Sequence, residues 1–232
     1  APSREKARAL IREGAVRLDD VAISKPGQLV SPNAFLSVTS DSLRWVSRGA
    51  LKLEAALEAF PHIDVEGRIA ADIGASTGGF CDVLLSRNVA HVYAVDVGQG
   101  QLDKKLARHS HVTSLERTNA RDLSSLLIPE PLNIITCDVS FISVCKALPA
   151  VLSLATEGCW LITLVKPQFE AGREALGKGG VVKDEADRQR ALSEVVIFLS
   201  EKMGWQIEGH IESPVTGPEG NREFLLVAKY LI

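Results

Sequence analysis

From residue 50 onward the chain repeats one pattern: a short apolar run, a polar or glycine-rich turn, then a stretch with helical spacing of its apolar positions. The apolar runs predict strands at Ile69–Ile73, His91–Val97, Val112–Glu116, Leu132–Cys137 and Trp160–Val165. Each is separated from the next by enough residues for a helical or irregular crossover. Such alternation predicts a parallel sheet covered on both faces, and an α/β fold. A helix from Ala50 to Phe60 precedes the first strand, with Leu51, Leu53, Ala55, Ala56, Leu57 and Phe60 on its apolar side. The rhythm breaks at the end. A helix from Glu185 to Met203 leads to a strand at Gln206–Glu212, a turn-rich stretch from Pro214 to Asn221, and a strand at Glu223–Tyr230. Two strands with no helix between them pair antiparallel or lie on an edge.

The first 38 residues follow another pattern. Ala7, Leu10 and Ile11 recur at helical spacing between Ser3, a good N-cap, and Gly14, a helix terminator. Val16–Leu18 and Val21–Ile23 flank Asp19-Asp20 as a small hairpin, and Pro26-Gly27 marks a further turn. Residues 1–38 are too few to bury an independent core unaided. Because the chain opens at a helix cap without Met, further residues are expected upstream. Residues 39–49 read as a linker carrying Trp45 between Arg44 and Arg48, and residues 50–232 as the main domain.

The chain has 232 residues, with 46% hydrophobic and 24% charged positions, which argues against a mainly disordered chain. Its longest apolar stretch, around Cys159–Val165, is far shorter than the roughly 20 residues of a membrane span. Neither stable membrane insertion nor a secretory signal is expected. The four cysteines form no C-x-x-C pair and the five histidines no H-E-x-x-H, so a metal site has no support and free thiols in a reducing cytoplasm are expected. The net charge of −3 is unevenly distributed. Residues 1–52 hold nine Lys/Arg against five Asp/Glu, and the remainder seventeen against twenty-four. A basic head on an acidic body suits a polyanionic partner, although solvated helix faces would give the same count.

Three features carry chemistry. The first is Asp72-Ile73-Gly74-Ala75-Ser76-Thr77-Gly78-Gly79-Phe80, where a buried strand turns into a helix. Its glycines allow close approach of a ligand to the backbone. Ser76 breaks the dinucleotide fingerprint, and no Gly-Lys-Ser/Thr closes a phosphate loop. The form D-x-G-x-x-x-G suits S-adenosylmethionine, and a plain tight turn is the competing reading. The second is Asp96, 22 positions after Gly74 at the tip of an apolar strand, where a carboxylate can accept both hydroxyls of a nucleoside ribose. Capping of the next helix is its alternative. The third is the set of polar residues at strand ends: Asp138, Lys166 and Glu223. In an open parallel sheet ligands sit outside the carboxyl ends of the strands, so Asp138 and Lys166 are expected to face the same crevice as the glycine loop. An ordinary buried ion pair is the plainer reading. Burial would depress the Lys166 pKa and neighbouring carboxylates would raise it, so the sequence leaves the sign open.

Taken together, Ser47–Leu53, Asp72–Phe80, Tyr93–Gly98, Asp138–Ser143, the string Lys166-Pro167-Gln168-Phe169-Glu170, and Gly220–Leu225 resemble the TlyA family. Those proteins are ribosomal RNA 2'-O-methyltransferases related to the FtsJ group and often named haemolysins. The resemblance implies a Rossmann-like, class I S-adenosylmethionine-dependent methyltransferase whose mostly parallel sheet ends in an antiparallel hairpin. It also implies a small N-terminal RNA-binding α+β unit of the S4 type, here truncated before its first helix. Lys52, Asp138, Lys166 and Glu223 map onto the family's catalytic Lys-Asp-Lys-Glu set. Cofactor contacts are implied at Asp72, Gly74, Ala75, Ser76, Thr77, Gly78, Gly79, Phe80, Asp96, Val97, Asn119 and Asp138. Arg4, Lys6, Arg8, Arg12, Arg44, Arg48, Lys178 and Lys183 are candidate phosphate contacts to ribosomal RNA. Gly172–Lys183 reads as a mobile substrate loop or as a disordered connection.

The sequence departs from the family at Ala50, where a second Gly is usual, at Cys81, where Thr is common, and at Asp19-Asp20, which replace an Asn-Gly turn. The expected activity is methylation of a ribose 2'-hydroxyl of cytidine in ribosomal RNA. A membrane-active haemolysin, a nicotinamide oxidoreductase and a catalytically inactive RNA-binding or ribosome-assembly factor are the rivals. The absence of a span, the Ser at position 76 and the occupied catalytic positions weigh against them in turn.

Overall fold

The computed structural model describes residues 4–12, 14–38, 44–217 and 220–231. The chain divides into two compact units, residues 1–48 and 49–232. In the first, helix α1 (Arg4–Arg12) precedes a three-stranded antiparallel sheet ordered β2 (Val21–Ala22), β1 (Val16–Leu18), β3 (Leu36–Val38). The Ser3 cap lies outside the described residues. Leu10, Ala15 and Val16 form a small core with Ile11 and Ile23 against it. The hairpin turn is built by Asp19 and Asp20, both at positive φ, a conformation that Asn or Asp tolerates better than most residues. Strand β3, which the apolar pattern did not announce, pairs through all three of its residues with β1.

The second unit is a seven-stranded sheet. Its strands are β4 (Ile69–Ile73), β5 (His91–Val95), β6 (Val112–Leu115), β7 (Leu132–Cys137), β8 (Ala155–Val165), β9 (Trp205–Glu212) and β10 (Phe224–Tyr230), in the spatial order β6-β5-β4-β7-β8-β10-β9. The pairs from β6 to β8 are parallel, and β10 runs antiparallel to both of its neighbours. Successive residues of β4 are buried on both faces, as a strand covered by helices requires. Helix α2 (Ala50–Ala59) packs on α3 (Gly79–Ser86) and on β10. On the opposite face, Ile73, Val95, Cys137, Leu161 and Leu226 join the main core with Leu192 and Val195 of helix α4 (Glu185–Ile197).

Several boundaries differ from expectation, β5 for instance closing at Val95 and helix α4 at Ile197. Strand β8 begins at Ala155, five residues before the apolar run, with a register irregularity opposite Leu132–Ile134 and Gly158 at φ 78°. A bulged, half-exposed start has no clean alternation to read. Strand β10 begins at Phe224, so Glu223 stands just before it, its carbonyl accepting from the Ser213 N–H.

The chain order reverses between β4 and β7. Strands β5 and β6 follow β4 to one side, and β7 and β8 lie on the other. At such a switch point the strand ends diverge and leave a crevice.

Candidate active site

The glycine loop closes over that crevice. Gly74 follows β4 at φ +81°, and a Cβ there would stand 2.7 Å from the Asp138 carbonyl oxygen, so only glycine fits between the ends of β4 and β7. Ser76 at φ +49° turns its N–H onto Asp96 Oδ2 at 2.8 Å, while the Gly98 N–H binds Asp96 Oδ1 at 2.7 Å. Asp96, directly after β5, thus ties the two loops that flank the opening. Beside it lies a cavity of about 430 Å³, bounded by Gly74, Ser76, Asp96, Val97, Asn119 and Asp138 and further by Gln101, Thr118, Ser140, Phe141 and Ile142. Ala75 lines a smaller recess on the other side of Asp96.

Other residues expected at the cofactor stand behind the loop. Asp72 is 1% exposed, and its oxygens are taken by the Thr136 hydroxyl at 2.9 Å and the Cys81 thiol at 3.0 Å. Burial raises its pKa to about 6, against the lowering effect of those two donors. Burial likewise pushes the Cys81 thiol well up. Cys81, one of the departures from the family pattern, therefore serves as a neutral donor, as a threonine would. Gly78, Gly79 and Phe80 are buried at the start of α3, and Thr77 offers its carbonyl to the Asp103 N–H. None of the five bounds the cavity: Asp72 braces the loop from within the core, and Thr77, Gly78, Gly79 and Phe80 carry the chain away into the helix. Asn119 bounds the cavity, with its side chain capping the turn at Ala120–Asp122.

At the cavity edge Lys52, Asp138, Lys166 and Glu223 meet. Lys52 of α2 places Nζ 3.3 Å from Asp138 Oδ2 and 3.0 Å from Glu223 Oε2. Lys166 Nζ stands 2.5 Å from Asp138 Oδ1 and donates to Ser140 Oγ at 2.9 Å. Sheet register explains the convergence. Asp138 follows Cys137, the partner of Ile73 and Thr163, and Lys166 follows Val165, the partner of Phe224. Burial would raise the Asp138 pKa, but the ammonium groups of Lys52 and Lys166 outweigh it and hold it below the usual value. Both lysines and Glu223 are less than a tenth exposed. The site is a charge-balanced cluster of two ammonium and two carboxylate groups, sharing Asp138 with the cavity.

Three neighbours carry no role in the sequence reading. Ser140 receives Lys166, and Gln168 donates Nε2 to Glu223 Oε1 at 2.9 Å. Each stands two residues after a tetrad member, a spacing that could have flagged them. Phe141 is 91% exposed at φ +65°, its ring 5.2 Å from that of Phe169. An exposed aromatic at positive φ is an uncommon combination for a bulky residue.

The expected phosphate contacts are distributed over both units. Arg4, Arg8 and Arg12 are exposed along α1 of the first unit, and the Lys6 side chain lies outside the described residues. Arg48 is exposed, and Arg44 stacks its guanidinium 4.3 Å from the centre of the Trp45 ring. Lys178 and Lys183 are exposed on the second unit. No helix among the described residues is long and apolar enough to cross a membrane.

The parallel sheet with one antiparallel strand before its edge, the glycine loop and the acidic tip of β5 define a Rossmann-like methyltransferase. Comparison with known proteins agrees. The FtsJ-like methyltransferase family matches residues 45–230, and the S4 domain family residues 1–36. A 16S/23S rRNA (cytidine-2'-O)-methyltransferase, TlyA of Mycobacterium tuberculosis, is 47% identical over 97% of this chain and 84% of its own. Hemolysin A of Brachyspira hyodysenteriae is 36% identical over 96% of this chain and 92% of its own. The solved structure of a hemolysin-named protein from Streptococcus thermophilus, 38% identical, has a TM-score of 0.81 and covers 100% of this chain and 84% of that one. The chain belongs to the FtsJ-like methyltransferases that carry an S4 domain, the TlyA family.

Proposed function

We propose that this protein uses S-adenosylmethionine to methylate the 2'-hydroxyl of a cytidine ribose in ribosomal RNA, working in the cytoplasm on ribosomal subunits. The observation that carries the reading is the mutual contact of Lys52, Asp138, Lys166 and Glu223 at the edge of a cavity that shares Asp138 with them. Full occupancy of the tetrad favours an enzyme over an inactive assembly factor. The naming of the M. tuberculosis relative supports the substrate and the cytidine.

The cavity fits the cofactor. Gly74, where a Cβ would strike the Asp138 carbonyl, gives the cavity a wall of bare backbone, and Asp96 stands where a nucleoside ribose would meet a carboxylate. Gly74, Asp96 and Asn119 would hold it. When bound, S-adenosylmethionine supplies an already activated methyl group, so the protein's task is alignment and proton removal. Lys166, once its ammonium has released a proton to solvent, takes the proton of the ribose hydroxyl on the neutral amine. Asp138 orients Lys166 and balances it, while Lys52 bridges Asp138 and Glu223. Phe141, exposed beside the cavity, offers a face on which the target base stacks. Exposed arginines of α1 and Lys178 and Lys183 position the RNA backbone without reading its sequence.

The test is incubation with methyl-labelled S-adenosylmethionine and unmodified ribosomal subunits, mapping any label to ribose or base. Label on a cytidine 2'-oxygen supports the reading. Label on a base, or none with the cofactor bound, sinks it.

A further inference from the structure

Residues 177–183 are neither a free lid nor a loose connection, and the residue that ties them down is Asn221. It is 4% exposed and stands two positions before Glu223. Its Oδ1 accepts the Val182 N–H at 3.1 Å, and its Nδ2 donates to the Gly180 carbonyl at 3.1 Å. A carboxamide offers a donor and an acceptor on separate atoms, as a neighbouring strand would. The exposed Lys178 and Lys183 lie within or beside the clasped segment. Further ties come from Arg188, which donates to the carbonyls of Val182 and Lys183 at 3.0 and 2.9 Å.

The same residue reaches the catalytic side. The Asn221 carbonyl accepts the Gly217 N–H at 2.8 Å. Gly217 is pressed so closely on the catalytic carboxylate that a Cβ there would fall 2.3 Å from Glu223 Oε1. One buried amide therefore joins a segment bearing two free-facing lysines to the wall that confines Glu223, whose other oxygen is held by Lys52.

We propose that Asn221 is a positioning residue that couples engagement of an RNA phosphate backbone by residues 177–183 to the placement of Glu223. This rests on the methyltransferase reading above for its substrate, but the coupling can be read without turnover. Hydrogen exchange is measured on the full chain with and without a ribosomal RNA fragment. In the parent, RNA should slow exchange in residues 177–183 and in residues 213–217 together. In Asn221→Ala it should slow only the first. Asn221→Asp, which keeps an acceptor and loses the donor, provides a second variant should the alanine fail to fold, and should show a weakened link.

Steady-state rates give the companion reading. Asn221→Ala should lower kcat about tenfold, the size expected on cutting a coupling network, with cofactor affinity unchanged. RNA slowing both segments equally in parent and variants, or neither in the parent, would overturn the coupling. Coupled exchange in a parent that transfers no methyl group would instead leave Asn221's role standing and remove the methyltransferase reading.

Discussion

Lys166 and Asp138 leave adjacent parallel strands, Lys166 two residues further on in register, and bring Nζ to 2.5 Å from Oδ1. Asp138 also receives Lys52 at 3.3 Å, so one carboxylate lies between two ammonium groups. With Lys166 as the group that takes the ribose proton, Lys166→Ala should lower transfer by about 10²–10⁴-fold. The cofactor dissociation constant should stay within about threefold, because the loop around Gly74 and Asp96 does not depend on this side chain. Equal losses of binding and rate would show that Lys166 shapes the cavity instead.

Asp72 and Asp138 give the fold opposite responses to pH. Burial raises Asp72 from 3.8 to about 6, so the folded state holds a proton that the unfolded chain releases. Its favourable contribution is complete below the unfolded value and is lost as pH rises through about 6. Asp138 is held below its ordinary value, so its contribution is present above that value and fades on acidification. Asp72→Asn should therefore gain stability relative to the parent between pH 4 and 7, by up to about 3 kcal/mol. Denaturant melts at the two pH values check this, and a constant difference would contradict it.

Gly74→Ala places a Cβ 2.7 Å from the Asp138 carbonyl in a backbone with φ +81°. Strain of about 1–3 kcal/mol is expected. The displaced Asp138 should weaken cofactor binding and slow transfer together, seen as loss of the thermal shift on adding S-adenosylmethionine.

Phe141 is 91% exposed, so Phe141→Ala should leave stability within about 0.5 kcal/mol. If a target base stacks on its ring, the variant should lose about 1–3 kcal/mol of RNA interaction, measured as a raised KM for RNA with cofactor affinity intact. Unchanged RNA kinetics would remove the stacking role.

Arg4, Arg8 and Arg12 recur every four residues on α1 and are all exposed. Replacing one phosphate-contacting arginine by alanine should weaken RNA binding uniformly across sequences and lower the salt slope by about 1. A change in which nucleotide is labelled would mean that these residues read bases.

Much of this architecture is legible before folding. Apolar runs such as Ile69–Ile73 and Leu132–Cys137 announce buried parallel strands because both faces must be covered. The glycines after Ile73 and the acidic residue after Val95 mark strand ends, since a ligand crevice needs backbone without side chains and a carboxylate at the tip. Local chemistry therefore announced the α/β fold and three strand-end residues, Asp138, Lys166 and Glu223, while Lys52 came only from the family resemblance. Register decided the rest. Only pairing of Val165 with Phe224, and of Cys137 with Ile73 and Thr163, sets Lys166, Glu223 and Asp138 side by side across 171 residues from Lys52 to Glu223. The same packing buries Asp72 behind the loop it helps to shape, and brings Asn221 against Gly180 and Val182 from 41 and 39 positions away. Such contacts come from distant parts of the chain, and no local pattern records them.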